Sequence, residues 1–151
     1  MKTIATLALA ALTAAAALPA AAQTFQKPED AIKYRKSALT VMAAHFGTLG
    51  AMVNGRIPYD AAQAARSGDA INTLVHLPWA GFVPGSDKGD TKAKPEIWTE
   101  QAKFNAARER AETEVPRIAA AAKTGSLDQL KAAWGPNSGA CKNCHDAFRK
   151  E

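Results

Sequence analysis

From Lys27 onward, apolar positions recur at steps of three and four and rarely alternate with polar ones, which predicts helices and argues against a sheet. A first helix is expected to open at Lys27-Pro28-Glu29-Asp30. Proline suits the first turn there, and the acids face the positive end of the dipole. Its seam runs through Ile32, Leu39, Met42, Phe46 and Leu49, and Asn54-Gly55 stops it. A second helix is expected from near Asp60 through Ile71, Leu74 and Val75 to Pro78, with Gly68 a weak point inside. Residues 80–95 (AGFVPGSDKGDTKAKP) read as a long loop. A third helix follows Pro95, with Thr99 as its cap and Phe104, Ala111, Val115 and Ile118 on one side, and it ends at Gly125. Ser126 caps the fourth, which starts at Leu127. Pro116 should kink or shorten the third helix, and Gly135-Pro136-Asn137 should bend the fourth. Such seams predict an all-α, antiparallel up-and-down four-helix bundle with one long connection.

The segment before these helices has another character. Residues 1–22 place Lys2 before an apolar stretch from Ile4 to Leu18, then Pro19 and three alanines, the layout of a Sec-type signal peptide cleaved after Ala22. A membrane anchor is the rival reading, but the stretch is shorter than the ~20 residues a bilayer needs. The expectation is export, with residues 23–151 as one mature domain in a bacterial periplasm.

Composition adds limits. With 47% hydrophobic and 22% charged residues over 151, the chain is ordinary globular material and sized for one domain. The formal charge of +5 is modest, pointing to an acidic partner without demanding nucleic acid. Two cysteines exclude a disulfide framework.

Both cysteines fall in Cys141-Lys142-Asn143-Cys144-His145, the attachment sequence of c-type haem. On a helix, positions i and i+3 share a face, so both sulfurs reach the vinyl carbons on one porphyrin edge while His145 turns toward the iron. Export agrees, since thioether attachment in bacteria occurs outside the cytoplasm. Three alternatives remain: a thioredoxin-like redox pair, which expects a strand before it; a zinc site, which would need His45 or His76; and a plain disulfide. Because the motif lies in the last helix, another helix must cover the second haem face, and the first offers the best seam. Arg35 lies on that seam, where a guanidinium requires an anion such as a haem propionate unless it snorkels to solvent. Arg149 stands one turn beyond His145, as a partner of the site or as a solvated end-of-helix cation. Met42 is a competent sixth iron ligand, and core packing is its other reading.

The opening KPEDAIKYRKSALTVMAAHF, LPWAGF at 77–82, PEIW at 95–98 and the closing CKNCHDAFRK resemble cytochrome c-prime, the four-helix class of c-type cytochromes, over essentially the whole mature chain. The resemblance implies one covalently bound haem c, with Cys141 and Cys144 as attachment points and His145 as proximal ligand. It places Leu39 over the sixth coordination position, leaving the iron five-coordinate. It brings Arg35 and Lys36 to the propionates, Asp90 to the haem edge and Arg149 beside His145. Leu39 offers no hydrogen-bond donor, so stable oxygenation should be poor while CO and NO bind. By analogy, NO ends on the His145 side, where Arg149 stabilises it. The expected function is a periplasmic, non-enzymatic haem protein that binds NO and CO and passes electrons to a redox partner. The alternative is a low-spin electron carrier with Met42 as sixth ligand. Alanines 43, 44, 51, 61, 62 and 65, together with the family habit of pairing through the first two helices, suggest a homodimer.

Overall fold

The computed structural model describes residues 25–151; the expected leader, residues 1–22, lies outside them. The elements are α1 (Pro28–Val53), α2 (Ala61–Leu74), a 3-10 turn at Pro78–Gly81, the single turn α3 (Glu96–Thr99), α4 (Gln101–Ala122) and α5 (Leu127–Phe148). The architecture is the expected all-α bundle, made by α1, α2, α4 and α5. Among the described residues the only extended pairing is an isolated antiparallel bridge between Ala93 and Arg149.

Most helix ends follow from local chemistry. Asp60 caps α2 by accepting from the Gln63 amide at 2.8 Å, and Ser126 caps α5 by accepting from the Gln129 amide at 3.3 Å. Gly55 and Gly125, at φ 66° and 73°, turn the chain after α1 and α4 in a conformation that favours glycine.

Several expectations are corrected. Thr99 does not cap the long third helix: it closes α3, a separate turn held by the Trp98 amide on the Pro95 carbonyl at 3.0 Å. Glu100 then redirects the chain into α4 without a side-chain cap. The second helix stops at Leu74 rather than Pro78, because Pro78 opens a 3-10 turn of its own. Pro116 and Pro136 interrupt neither α4 nor α5. Both prolines are exposed, so water can satisfy the carbonyl each one frees. Gly68 is no weak point but a place where α2 comes close against α4. A Cβ there would lie 3.0 Å from Ala122 Cβ and 3.2 Å from the Ala119 carbonyl oxygen.

The interior has two apolar clusters. The larger joins Leu49, Met52, Ile71, Val75, Ile118 and Leu130. The smaller sits at the other end around Ile97, Phe104 and Phe148, with Phe82, Trp98 and Cys144 packed on it. Trp79 touches both. Phe46 and Trp134 stack at 4.4 Å and stitch α1 to α5, and Gly50 makes room for the indole. Among the described residues no helix is long and apolar enough to cross a membrane.

Candidate haem site

Cys141 and Cys144 lie one turn apart on α5 as free, half-buried thiols, followed by His145. Burial pushes both thiols up. Cys144 reaches about 11, with the neighbouring Cys141 adding to the effect of desolvation. His145 is exposed, yet enough protein surrounds its ring for desolvation to lower its pKa. Arg149 adds to the lowering and Asp146 opposes it. A lowered imidazole keeps its lone pair near neutrality, as an iron ligand must.

The rival readings of the cysteines find no support among the described residues. There is no sheet for a thioredoxin-like pair, and no group of three or more His, Cys, Asp or Glu is placed to hold a metal. His45 faces Ser67 Oγ at 3.5 Å, and His76 pairs with Glu112 at 3.3 Å.

Across the bundle stands α1. Counting seven residues back from Phe46 reaches Leu39, and seven forward from Trp134 reaches Cys141. Because α1 and α5 run antiparallel, both steps climb about 10.5 Å in the same direction from the stitch, so Leu39 and Cys141 share a level. Leu39, Cys141 and Cys144 are only half-buried on inward lines, whereas Arg35 and Leu49 beyond are buried. Leu39 belongs to neither apolar cluster, while Met42 packs against the larger one. Four side chains hold a buried polar atom without a hydrogen-bond partner among the described residues: Tyr59 through its hydroxyl, Arg108 through Nε, Trp79 through Nε1, and Asn137 through both amide atoms. Of these, Trp79 packs on the cluster that Cys144 joins, and Asn137 stands one turn before Cys141. Paired sulfurs, a neutral imidazole, an aliphatic residue at the same level and orphaned polar atoms nearby fit a pocket completed by a haem.

Arg35 does not snorkel; it is 2% exposed. Its Nη1 donates to the Gly81 carbonyl and to Ser86 Oγ, each at 2.6 Å. Its Nη2 donates to the Ser86 carbonyl at 2.5 Å and to Thr91 Oγ1 at 2.8 Å. Phe82 and Trp98 lie against the guanidinium, with ring centroids 4.6 and 5.8 Å from Cζ. All four acceptors are neutral. Desolvation lowers the pKa of Arg35 to about 10, with Asp87 only partly offsetting it. The loop thus holds this cation without neutralising it, which leaves room for an anion nearby.

Lys36 and Asp90, both expected at the haem edge, pair at 2.5 Å on the exposed rim. Arg149 reaches the site through the backbone: its amide donates to the His145 carbonyl at 3.0 Å, and its neighbour Lys150 donates to the Lys92 carbonyl at 2.7 Å. The 81–94 segment therefore connects Arg35, Lys36 and Asp90 to the end of α5. Gly81, Ser86 and Thr91, the acceptors of Arg35, were not visible as site residues, since loop composition does not say which oxygens converge. Asn137 was visible only by its step, three after Trp134 and four before Cys141 on the seam.

Residues 30–149 match the Cytochrome C' family. The chain is 49% identical over 127 residues to cytochrome c' of Alcaligenes xylosoxydans xylosoxydans, covering 84% of this chain and 98% of that protein. It is 48% identical over 128 residues to cytochrome c' of Rubrivivax gelatinosus, at 84% and 99% coverage. The crystal structure of the Rubrivivax gelatinosus protein superposes with a TM-score of 0.80, covering 84% of this chain and 100% of that one. The nitric oxide complex of a leucine-to-alanine variant of the Alcaligenes xylosoxidans protein superposes at 0.77, with 47% identity and coverage of 85% and 99%. A carbon monoxide-bound leucine-to-glycine variant also scores 0.77, with 47% identity and coverage of 85% and 100%. Sequence, fold and the paired sulfurs beside a histidine on the last helix agree: this chain belongs to the cytochrome c' family and carries a covalently attached haem c.

Proposed function

We propose that this protein binds NO and CO in a bacterial periplasm, after cleavage at Ala22 leaves residues 23–151, and does so without catalysing a reaction. The haem, when bound, supplies one iron that takes a diatomic ligand and cycles between ferric and ferrous states. The polypeptide determines which ligands succeed. His145 would supply its imidazole to the iron. Leu39 presents hydrocarbon on the other side, so a ligand that needs a hydrogen-bond donor gains nothing there, while CO and NO need none. The observation that carries the reading is the division of labour on α1: Met42 is taken up by the core, and half-buried Leu39 stands level with Cys141. With Met42 so engaged, α1 would offer the iron of a bound haem no ligand at this level. The NO and CO complexes of similar proteins support the gas chemistry.

Electron transfer is compatible with the same site. Cleavage removes Lys2 and no acid, so the mature chain keeps a formal charge of +4, which favours an acidic periplasmic partner. Homodimerisation through α1 and α2 is supported by exposed small residues, namely Ala43, Ala44, Ala61 and Ala62. Arg149 is proposed to stabilise a ligand on the His145 side, a reading supported by its electrostatic influence on His145.

The test is an absorption spectrum of the reduced protein with and without CO. A broad high-spin Soret band that sharpens on CO addition is expected. A low-spin spectrum indifferent to CO would overturn the five-coordinate reading.

A further inference from the structure

We infer that Asn137 sets the polarity of the haem pocket at its covalently attached edge, and through it the ferric–ferrous balance, a conclusion that rests on the haem reading above. Asn137 is 1% exposed, and neither Nδ2 nor Oδ1 has a partner among the described residues. It lies in the interior of α5, so no helix end explains a polar side chain there. Its inward companions Leu130, Ala133, Trp134 and Ala140 are apolar, and leucine at 137 would continue that seam. A buried amide with donor and acceptor both unmade is destabilising and uncommon, so its partner is to be sought outside the polypeptide.

The local geometry points to the haem edge. Helical side chains lean toward the N-terminus, so the Cys141 sulfur, one turn further along, leans over Asn137. A porphyrin edge joined to that sulfur would then lie beside the amide. A polar group at this edge favours the ferric haem, which carries one more positive charge. Hydrocarbon in its place favours the ferrous form.

The experiment compares Asn137→Leu, of similar size but apolar, and Asn137→Thr, which keeps one hydroxyl, with the parent haem protein. Spectroelectrochemical titration is run alongside thermal unfolding. Asn137→Leu is expected to move the equilibrium toward the ferrous form about threefold or more, ~28 mV for a one-electron couple at 59 mV per decade. Asn137→Thr is expected to move it less, with little loss of thermal stability in either variant. An amide with a purely structural role would shift the unfolding temperature and leave the potential unchanged, and the parent potential in both variants overturns the inference. Should Asn137→Leu fail to retain haem, Asn137→Thr and Asn137→Ser carry the comparison. A parent protein that emerges colourless from a maturation-competent host would instead overturn the haem reading.

Discussion

Ser86 receives both arms of the Arg35 guanidinium, Nη1 on its Oγ at 2.6 Å and Nη2 on its carbonyl at 2.5 Å, and the serine is fully buried. Arg35 thereby ties α1 to the loop that leads to α3, and the loop in turn pairs with the end of α5. Replacing Arg35 by alanine strands the Ser86 carbonyl, leaves the Gly81 carbonyl only the long bond from Ser86 Oγ at 3.4 Å, and removes the cation stacked against Phe82. Loss of several buried, charge-assisted bonds predicts destabilisation of about 3 kcal/mol. Ser86→Ala leaves its carbonyl in place and should cost about 1 kcal/mol. Urea unfolding of the haem protein measures both. Equal, small effects would show that the loop holds without the clamp.

Gly50 predicts a different failure. A Cβ built there would stand 2.5 Å from the ring of Trp134, which also stacks on Phe46. Gly50→Ala therefore pushes apart the stitch that sets the level of Leu39 against Cys141. Overpacking of this kind costs roughly 1–3 kcal/mol. The haem spectrum should change along with stability, because the stitch sets the spacing of the two walls. Circular dichroism melts and the Soret band, read on one sample, check the pairing of the two effects.

The helices, their order and the sulfur–imidazole motif were legible because each depends on local sequence. Steps of three and four mark inward faces, Asp60 and Ser126 cap the helices that follow them, and Cys141, Cys144 and His145 are neighbours along the chain. What depended on distant neighbours was hidden. Gly68 reads as a defect until Ala119 and Ala122 are seen against it, and Pro116 and Pro136 read as breaks until their exposure is known. The need of Arg35 for partners was apparent from its place on the seam. That neutral oxygens 46 to 56 positions away would supply them was not.

Leu39 and Met42 separate the two ligation schemes. Met42 contributes to the larger cluster, so Met42→Leu should change stability by less than about 1.5 kcal/mol and leave the haem spectrum unaltered. Leu39→Ala removes the hydrocarbon bulk level with Cys141. It should speed CO association by roughly tenfold, equivalent to about 1.4 kcal/mol of relieved steric cost. Stopped-flow mixing with CO gives the rate. A Met42→Leu protein that turns from low to high spin would assign the methionine to the iron.

The two thiols carry a dependence on pH that haem attachment should abolish. Burial raises Cys144 from 9.0 to about 11 and raises Cys141 in the same direction. Between the two values the folded haem-free chain holds a proton that the unfolded chain has released. Stability rises with pH only where the unfolded state binds more protons, so here it falls as pH climbs from 9 through about 11. Below 9 both states carry neutral thiols, and this contribution is fully present. Thioether formation leaves no ionisable sulfur, so the loss should vanish in the haem protein. Every other group is common to both forms, so the difference between the forms isolates the sulfurs. Urea midpoints of haem-free and haem-loaded protein at pH 8, 9.5 and 11 are expected to diverge progressively, with the haem-free chain falling faster. Parallel curves would mean that the thiols are not protected by burial.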